Sequence, residues 1–417
     1  MGMLERSILM KKYTVFTRDF TWMIIGQIIS LFGNSIVRFA LSLQVLEMTG
    51  SAASFAMITG ASMVLTILLS PLGGLIADRM SKRDIMAGLD FLTCGICIAF
   101  HVILDVHLDV MGIAAMMMVL AVIQSFYQPA VQASIPLLAA DEHLMQANGI
   151  AMQVNALANL IGPMLGGLFY GFFGLIPILM ISAAAFFCSA VMEMFLHIPF
   201  VKKKENDDGA IRDLQRAVRF VIREHPAVFR FLMILAMLNL FLSALLLIGL
   251  PYIIRIDLGL SAQLYGVAEG IMGLGSIAAG LVVGMVSRRI PFHRSYRLLM
   301  GGVVVLLPIA VVLFWDIHAL TAYAILLLSV FLAMLFIGVF NIFIQTYLQQ
   351  ITPADMLGKV SAFVATIVMC SLPVGQALYG YLFDAVDHIY WILLFGIAAG
   401  IVLTVLTKRT LYQLHKA

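Results

Sequence analysis

The stretch "PLGGLIADRMSKR" (Pro71–Arg83) closes a long apolar run, passes through Gly73 and Gly74, reaches Asp78, and ends among Arg79, Lys82 and Arg83. Adjacent glycines strip a helix face of side chains, so another helix can approach closely. A single acid followed by three bases marks where an apolar phase gives way to a positively charged aqueous margin. The stretch therefore reads as the end of a membrane span.

The rest of the chain has the same character. Its 417 residues are 62% hydrophobic and only 11% charged, against about 25% charged in soluble domains, and the mean hydropathy is +1.05. Apolar segments of about 20 residues, enough to cross a hydrocarbon layer of about 30 Å, recur throughout. Twelve spans are expected, roughly at 21–46, 54–77, 85–104, 111–130, 146–171, 174–197, 230–254, 263–286, 296–315, 320–346, 360–383 and 389–407. The fold class is all-α polytopic membrane protein. Residues 1–20 are too broken by charge to hold a signal-peptide core. Cys94, Cys97, Cys188 and Cys370 all lie in apolar runs, so no disulfide framework is expected.

The bases orient the chain. With both termini cytoplasmic, 23 of the 25 Lys and Arg fall in the termini and cytoplasmic loops, leaving Arg38 inside span 1 and Arg255 at the outer end of span 7. The outer loops carry acids, among them Glu47, Asp109, Asp257 and Asp384. This is the positive-inside pattern of a multi-pass protein of the cell membrane.

The chain also repeats. "AGLVVGMVSRR" (279–289) overlies "GGLIADRMSKR" (73–83) at a shift of 206 positions, close to half the length. A shift by six helices preserves topology, so two parallel six-helix repeats are expected. The organisation is then an N-terminal bundle at 1–197, a cytoplasmic linker at 198–229 and a C-terminal bundle at 230–417. In the linker, Ile211, Leu214, Val218 and Val221 share one helical face and Arg212, Arg216, Arg219 and Arg223 another, as in a helix lying on anionic lipid. A solvated tether fits equally well.

Two six-helix halves, a long middle loop and the 73–83 stretch resemble the major facilitator superfamily. The family signature between spans 2 and 3, Gly-x-Leu-x-Asp-Arg-x-Gly-Arg-Arg, is met here by Gly74, Asp78, Arg79, Lys82 and Arg83, with Ile76 and Ser81 as departures. The resemblance implies that Asp78 acts as a conformational latch, accepting hydrogen bonds from the N-terminus of span 11 near Val360. The second half has Gly284 where Asp78 stands, so the latch is lopsided. Span 5, "GIAMQVNALANLIGPMLGG" (149–167), is similar to an exporter-associated pattern through Gly149, Gly162, Pro163, Gly166 and Gly167, with Ala158 for a further glycine. Small residues there imply tight packing against the other half, and Pro163 a bend. "SLFGN", "YQPAVQASIPLL" and "IQTYLQQITPADMLGKVSAF" are similar to the branch of macrolide efflux proteins and the enterobactin exporter.

In this fold spans 1, 4, 7 and 10 line the cavity. The polar residues there are Gln27, Asn34 and Arg38 in span 1, Gln124, Tyr127 and Gln128 in span 4, Asn239 in span 7, and Asn341 and Gln345 in span 10. An amide facing lipid costs several kcal/mol, so these side chains should face protein or a cavity. Arg38, Asp90, Glu193 and Glu269 are the ionisable groups within spans and the proton-coupling candidates. Asp90 and Glu193 lie near enough to span edges to reach water or nearby bases, which favours a structural role for them. Glu269 sits amid small residues in the outer part of the membrane and is the preferred carrier. The function expected is export of hydrophobic or amphiphilic small molecules, macrolide-like or siderophore-like, by proton (or Na⁺) antiport with alternating access. The alternative is an importer or a lipid flippase on the same scaffold. An enzyme is not expected, because the chain has no Gly-x-x-x-x-Gly-Lys-[Ser/Thr] motif and no helical His/Glu metal pair. No cofactor, bound metal or nucleic-acid partner is expected, and the protein should be a monomer in the bilayer.

Overall fold

A computed structural model describes residues 15–104, 109–199, 226–315, 317–352 and 357–416. The proposed linker helix, with Arg212 and its neighbours, lies outside the described residues. Twelve helices are long and apolar enough to cross a membrane, and no strand occurs among the described residues. They are α1 (Arg18–Thr49), α2 (Ala52–Arg79), α3 (Lys82–Leu104), α4 (Val110–Leu138), α5 (Leu144–Phe173), α6 (Leu175–Met194), α7 (from Pro226 to Asp257), α8 (Ala262–Ser287), α9 (from Phe292 to Phe314), α10 (Ala319–Ile351), α11 (Leu357–Ala385) and α12 (Ile389–Lys416). Hydrocarbon offers the backbone no hydrogen-bond partner, so each span closes its own bonds as a helix.

Most helices overshoot the expected spans at their polar ends, α4 by eight residues and α12 by nine. α4 continues to Leu138 through Pro129 and Pro136, where the apolar run suggested an end near 130. Between the two prolines the Ser134 hydroxyl donates to the Ala130 carbonyl at 2.7 Å. Two other helices are interrupted. α7 passes through π turns at Asn239–Ser243 and Ile253–Asp257. α9 breaks at Val305–Leu306, just before Pro308, which has no N–H to continue the ladder.

The chain forms two compact units, one of Met1–Met48 with Ala61–Lys204, the other of Thr49–Gly60 with Glu205–Ala417. The beginning of α2 thus counts with the second unit and its remainder with the first. In the first unit α3 packs along α6, and in the second α9 packs along α12. These are equivalent pairs under a six-helix repeat.

Glycines set the closest approaches, and they recur in equivalent places. A methyl group on Gly73 of α2 would fall onto the Ser125 carbonyl of α4. In the equivalent helix pair of the second unit, Gly275 of α8, one turn before the aligned Ala279, lies against the Phe331 carbonyl and Met334 of α10. Gly74 makes no such contact, so only one glycine of the pair brings helices together. In α5, Gly162 lies against Ser35 of α1, and Gly166 against the Phe39 ring at 3.0–3.1 Å. These contacts join α5 to α1 of the same unit, where the sequence suggested packing against the other half. Gly375 of α11 lies in the same way against Leu240 and Ala244 of α7. Gly149 has nothing within 4 Å of an added Cβ.

Gly162→Leu should therefore lower stability by about 1–3 kcal/mol, the usual cost of forcing extra volume into a packed contact. Gly149→Leu should leave it nearly unchanged. Thermal unfolding of the purified variants in detergent checks this, and equal losses at both positions would contradict the contact map.

Candidate functional site

Four helices of the first unit bring their polar residues together. On α1, Gly26 and Gly33 are seven residues apart and face α6; a Cβ at Gly26 would meet Ser189 Oγ and Glu193 Cγ at 3.4 Å, and one at Gly33 the Phe186 ring at 3.5 Å. With the side chains removed from that stripe, the Ser189 hydroxyl donates to the Gly26 carbonyl at 2.9 Å. One turn on, Ser30 donates to Asp90 Oδ1 of α3 at 2.9 Å. From α4, the Tyr127 hydroxyl donates to Glu193 Oε1 of α6 at 2.7 Å.

Asp90 and Glu193 are 2% and 0% exposed, so neither reaches water, and no base is hydrogen-bonded to either among the described residues. Their distance from the span ends misled, because both side chains turn inward between helices. Asp90 Oδ2, Glu193 Oε2 and Gln27 Oε1 are buried with no hydrogen-bond partner. Asn34 is buried, while Arg38, Gln124 and Gln128 are half-buried.

The second unit contains a cavity of about 590 Å³ lined by Asn239 of α7, Asn341, Gln345, Gln349 and Thr352 of α10, and Val360, Val364, Ala365, Val368 and Met369 of α11. This lies within the range of ligand pockets, about 300–1,000 Å³. A smaller recess of about 170 Å³ shares Leu235, Asn239 and Asn341 with it and adds Met334, Phe340 and Leu246. Asn239 opens the first π turn of α7, a feature common at functional sites. Three polar residues that the sequence set on spans 7 and 10 therefore meet at one cavity. Glu269, in the same unit, is half-buried and accepts from the Tyr265 hydroxyl one turn earlier at 3.0 Å. Tyr323 of α10 holds that part of α8 by donating to the Leu264 carbonyl at 2.8 Å.

The two ends of α2 differ. At its start, Asp384 in the last turn of α11 accepts from the Ser51 hydroxyl at 2.5 Å and from the Ala52 and Ala53 amides at 2.7 and 3.1 Å. Ser51 Oγ in turn accepts from the Ser54 amide at 3.1 Å. Nearly all the orphan donors of a helix N-terminus are thus taken up, and the negative charge sits at the positive end of the helix dipole. Gly380, one turn before Asp384, allows this, since its Cβ would come within 3.0 Å of the Ala52 carbonyl. At the other end, Asp78 is exposed and makes no hydrogen bond or ion pair with a described residue. Residues 353–356, next to its expected partner, lie outside the described residues. Arg79 is exposed, Lys82 is buried, and Arg83 pairs with Asp84 at 2.9 Å.

Sequence reasoning missed Asp384, which it read only as an acid of an outer loop. Two signals were available. A carboxylate in the last turn of a helix is unfavourable there unless it serves another group, and "TGSAAS" (49–54) presents a serine just before a helix start. Asp384→Ala should destabilise the α2 start by about 1 kcal/mol, as for other lost N-caps. Hydrogen exchange of a peptide covering 52–60 should then quicken several-fold in the purified protein, and unaltered exchange would show that the carboxylate does not hold this helix end.

The comparisons with known proteins agree with this architecture. A family model described as Major Facilitator Superfamily matches residues 23–375 and again 232–412. Macrolide efflux protein A of Streptococcus pyogenes is 24% identical over 401 residues, covering 93% of this chain and 95% of that protein. An MFS-type transporter of Bacillus subtilis, YfiS, is 24% identical over 356 residues, covering 82% and 81%. Among solved structures, a bacterial homologue of the iron transporter ferroportin is 16% identical with a TM-score of 0.69, covering 94% and 98%. The nucleoside transporter NupG is 14% identical with a TM-score of 0.69, covering 94% and 99%. Twelve spans, glycine contacts repeated in two units and a family match along nearly the whole length give one conclusion: the chain belongs to the Major Facilitator Superfamily.

Proposed function

We propose that this transporter exports hydrophobic or amphiphilic small molecules, macrolide-like or siderophore-like, across the cell membrane in exchange for protons or Na⁺. Both ends of the chain face the cytoplasm in this reading. The observation that carries it is the cavity of the second unit, where the amides of Asn239, Asn341 and Gln345 are set among Leu235, Val364, Val368 and Met369. A few orienting polar groups on an apolar wall suit ligands that are mostly hydrophobic, and a methionine wall adapts to more than one shape. The likeness to Macrolide efflux protein A supports the same class of substrate.

In the proposed cycle α2 is held alternately at its two ends. Asp384 caps its start in one state, and Asp78 engages the start of α11 in the other. The half-buried Arg38, Gln124 and Gln128 of the first unit complete the path that a substrate follows.

Inside-out vesicles with an acid interior should accumulate erythromycin or a lipophilic dye, and collapsing the gradient should abolish the accumulation. Accumulation that persists without any proton or Na⁺ gradient would overturn the exchange. Asn341→Leu should raise the half-saturating concentration roughly three- to tenfold, equivalent to one net hydrogen bond of about 0.5–1.5 kcal/mol. An unchanged value would remove the cavity from the substrate path.

A further inference from the structure

We propose that Asp90 and Glu193 form a buried binding site for a single monovalent cation, a proton or Na⁺, with Gln27 on the turn of α1 before Ser30. This inference rests on the exchange reading above and names the place where the coupling ion sits. The groups facing the two carboxyls are Ser30 from α1, Tyr127 from α4 and Ser189 from α6, together with the carboxyls themselves. Among the described residues, no Lys, Arg or His is hydrogen-bonded or ion-paired to either carboxyl. Gln27 is 1% exposed, lies on the side of α1 next to Ser30, and leaves Oε1 unpartnered.

A purely structural network would satisfy its own lone pairs. This pair leaves two carboxyl oxygens, Asp90 Oδ2 and Glu193 Oε2, without a hydrogen-bond donor, and Gln27 Oε1 one turn before Ser30 is also unpartnered. Two ionised carboxylates without a counter-charge are also strongly disfavoured away from water. One added positive charge answers both deficits. As a proton it turns one carboxyl oxygen into a donor, and the remaining negative charge keeps its hydroxyl bonds. As Na⁺ it takes oxygen ligands that now have no partner. Among the described residues no group of three His, Cys, Asp or Glu could hold a metal, so a divalent ion is poorly matched. Tyr127 lies between Gln124 and Gln128 on α4, so this turn bears on the ion site and also carries the two half-buried amides.

The test uses the purified full-length protein in lipid nanodiscs with no substrate. Infrared difference spectra taken as pH is raised should show the C=O band of a protonated carboxyl disappearing. The band should be absent in the double variant Asp90→Asn/Glu193→Gln and retained in Glu269→Gln. Adding NaCl at fixed pH, with choline chloride as control, separates the two ions: loss of the band assigns Na⁺ to the same site, and no loss assigns the proton alone. The proposal is overturned if the band survives in the double variant. It is also overturned if the wild type shows neither a band at any pH nor a Na⁺-dependent rise in unfolding temperature. Should the double variant not fold, Tyr127→Phe keeps both carboxyls and removes the hydroxyl bonded to Glu193, so the band must move; an unmoved band is equally fatal. No transport enters this readout. A protein that moves neither macrolide nor dye would sink the exchange reading and leave the site standing.

Discussion

A polar group turned toward hydrocarbon costs several kcal/mol when nothing pairs with it, and that penalty organises this molecule. It makes every span a helix, because only a helix closes its own backbone bonds. It also turns the amides and carboxyls of the spans inward. Asp90 and Glu193 are buried for this reason, although both lie near the ends of their helices by residue count. Burial relieves only part of the cost. The hydroxyls of Ser30 and Tyr127 satisfy one oxygen of each carboxyl, and the second oxygens stay unpaired.

Helices can share polar groups in this way only if their axes come close, and missing side chains supply the room. The Gly26 and Gly33 stripe brings α6 onto α1, which puts Ser189 within reach of a backbone carbonyl. The same device appears twice along the chain. Gly162 against Ser35 joins α5 to α1 as Gly375 against Leu240 and Ala244 joins α11 to α7, and Gly73 against Ser125 joins α2 to α4 as Gly275 against Phe331 joins α8 to α10. The two units share this packing but differ in chemistry. The first holds two buried carboxyls within its helices, and the second an amide-lined cavity. On the proposed reading, such a division would give an ion and a hydrophobic substrate separate places.

The fold was legible in the sequence because the bilayer leaves so few options: apolar length gives the spans, and the 206-residue repeat gives the two halves. Convergence of Asn239, Asn341 and Gln345 was legible as well, since the penalty on lipid-facing amides forces them toward one another or a cavity. The partners of individual side chains were not. Counting residues from a span edge placed Glu193 within reach of water, yet its exposure depends on which face of α6 it occupies and on how closely Gly26 admits that face. Pairing Asp384 with Ser51 requires knowing that α11 ends beside the start of α2, a contact 333 residues apart that no local pattern encodes. The glycines of span 5 belonged to one motif in the sequence. In the structure Gly162 and Gly166 make contacts and Gly149 makes none.

The Asp384 cap bears on how such a chain can move. A helix N-terminus presents several amides with no partner within the helix, and a carboxylate from a second helix can satisfy them only while the two ends stay in register. α2 begins in one compact unit and continues in the one that holds Asp90 and Glu193. Releasing Asp384 leaves both a charge and a set of amides in need of new partners. Water at the membrane edge supplies these at modest cost, which keeps the exchange reversible. The deep carboxyls have no such recourse, since water does not reach them. In the proposed cycle, therefore, the cap at the edge of the membrane opens and closes readily, whereas the buried pair needs an added positive charge in place of water.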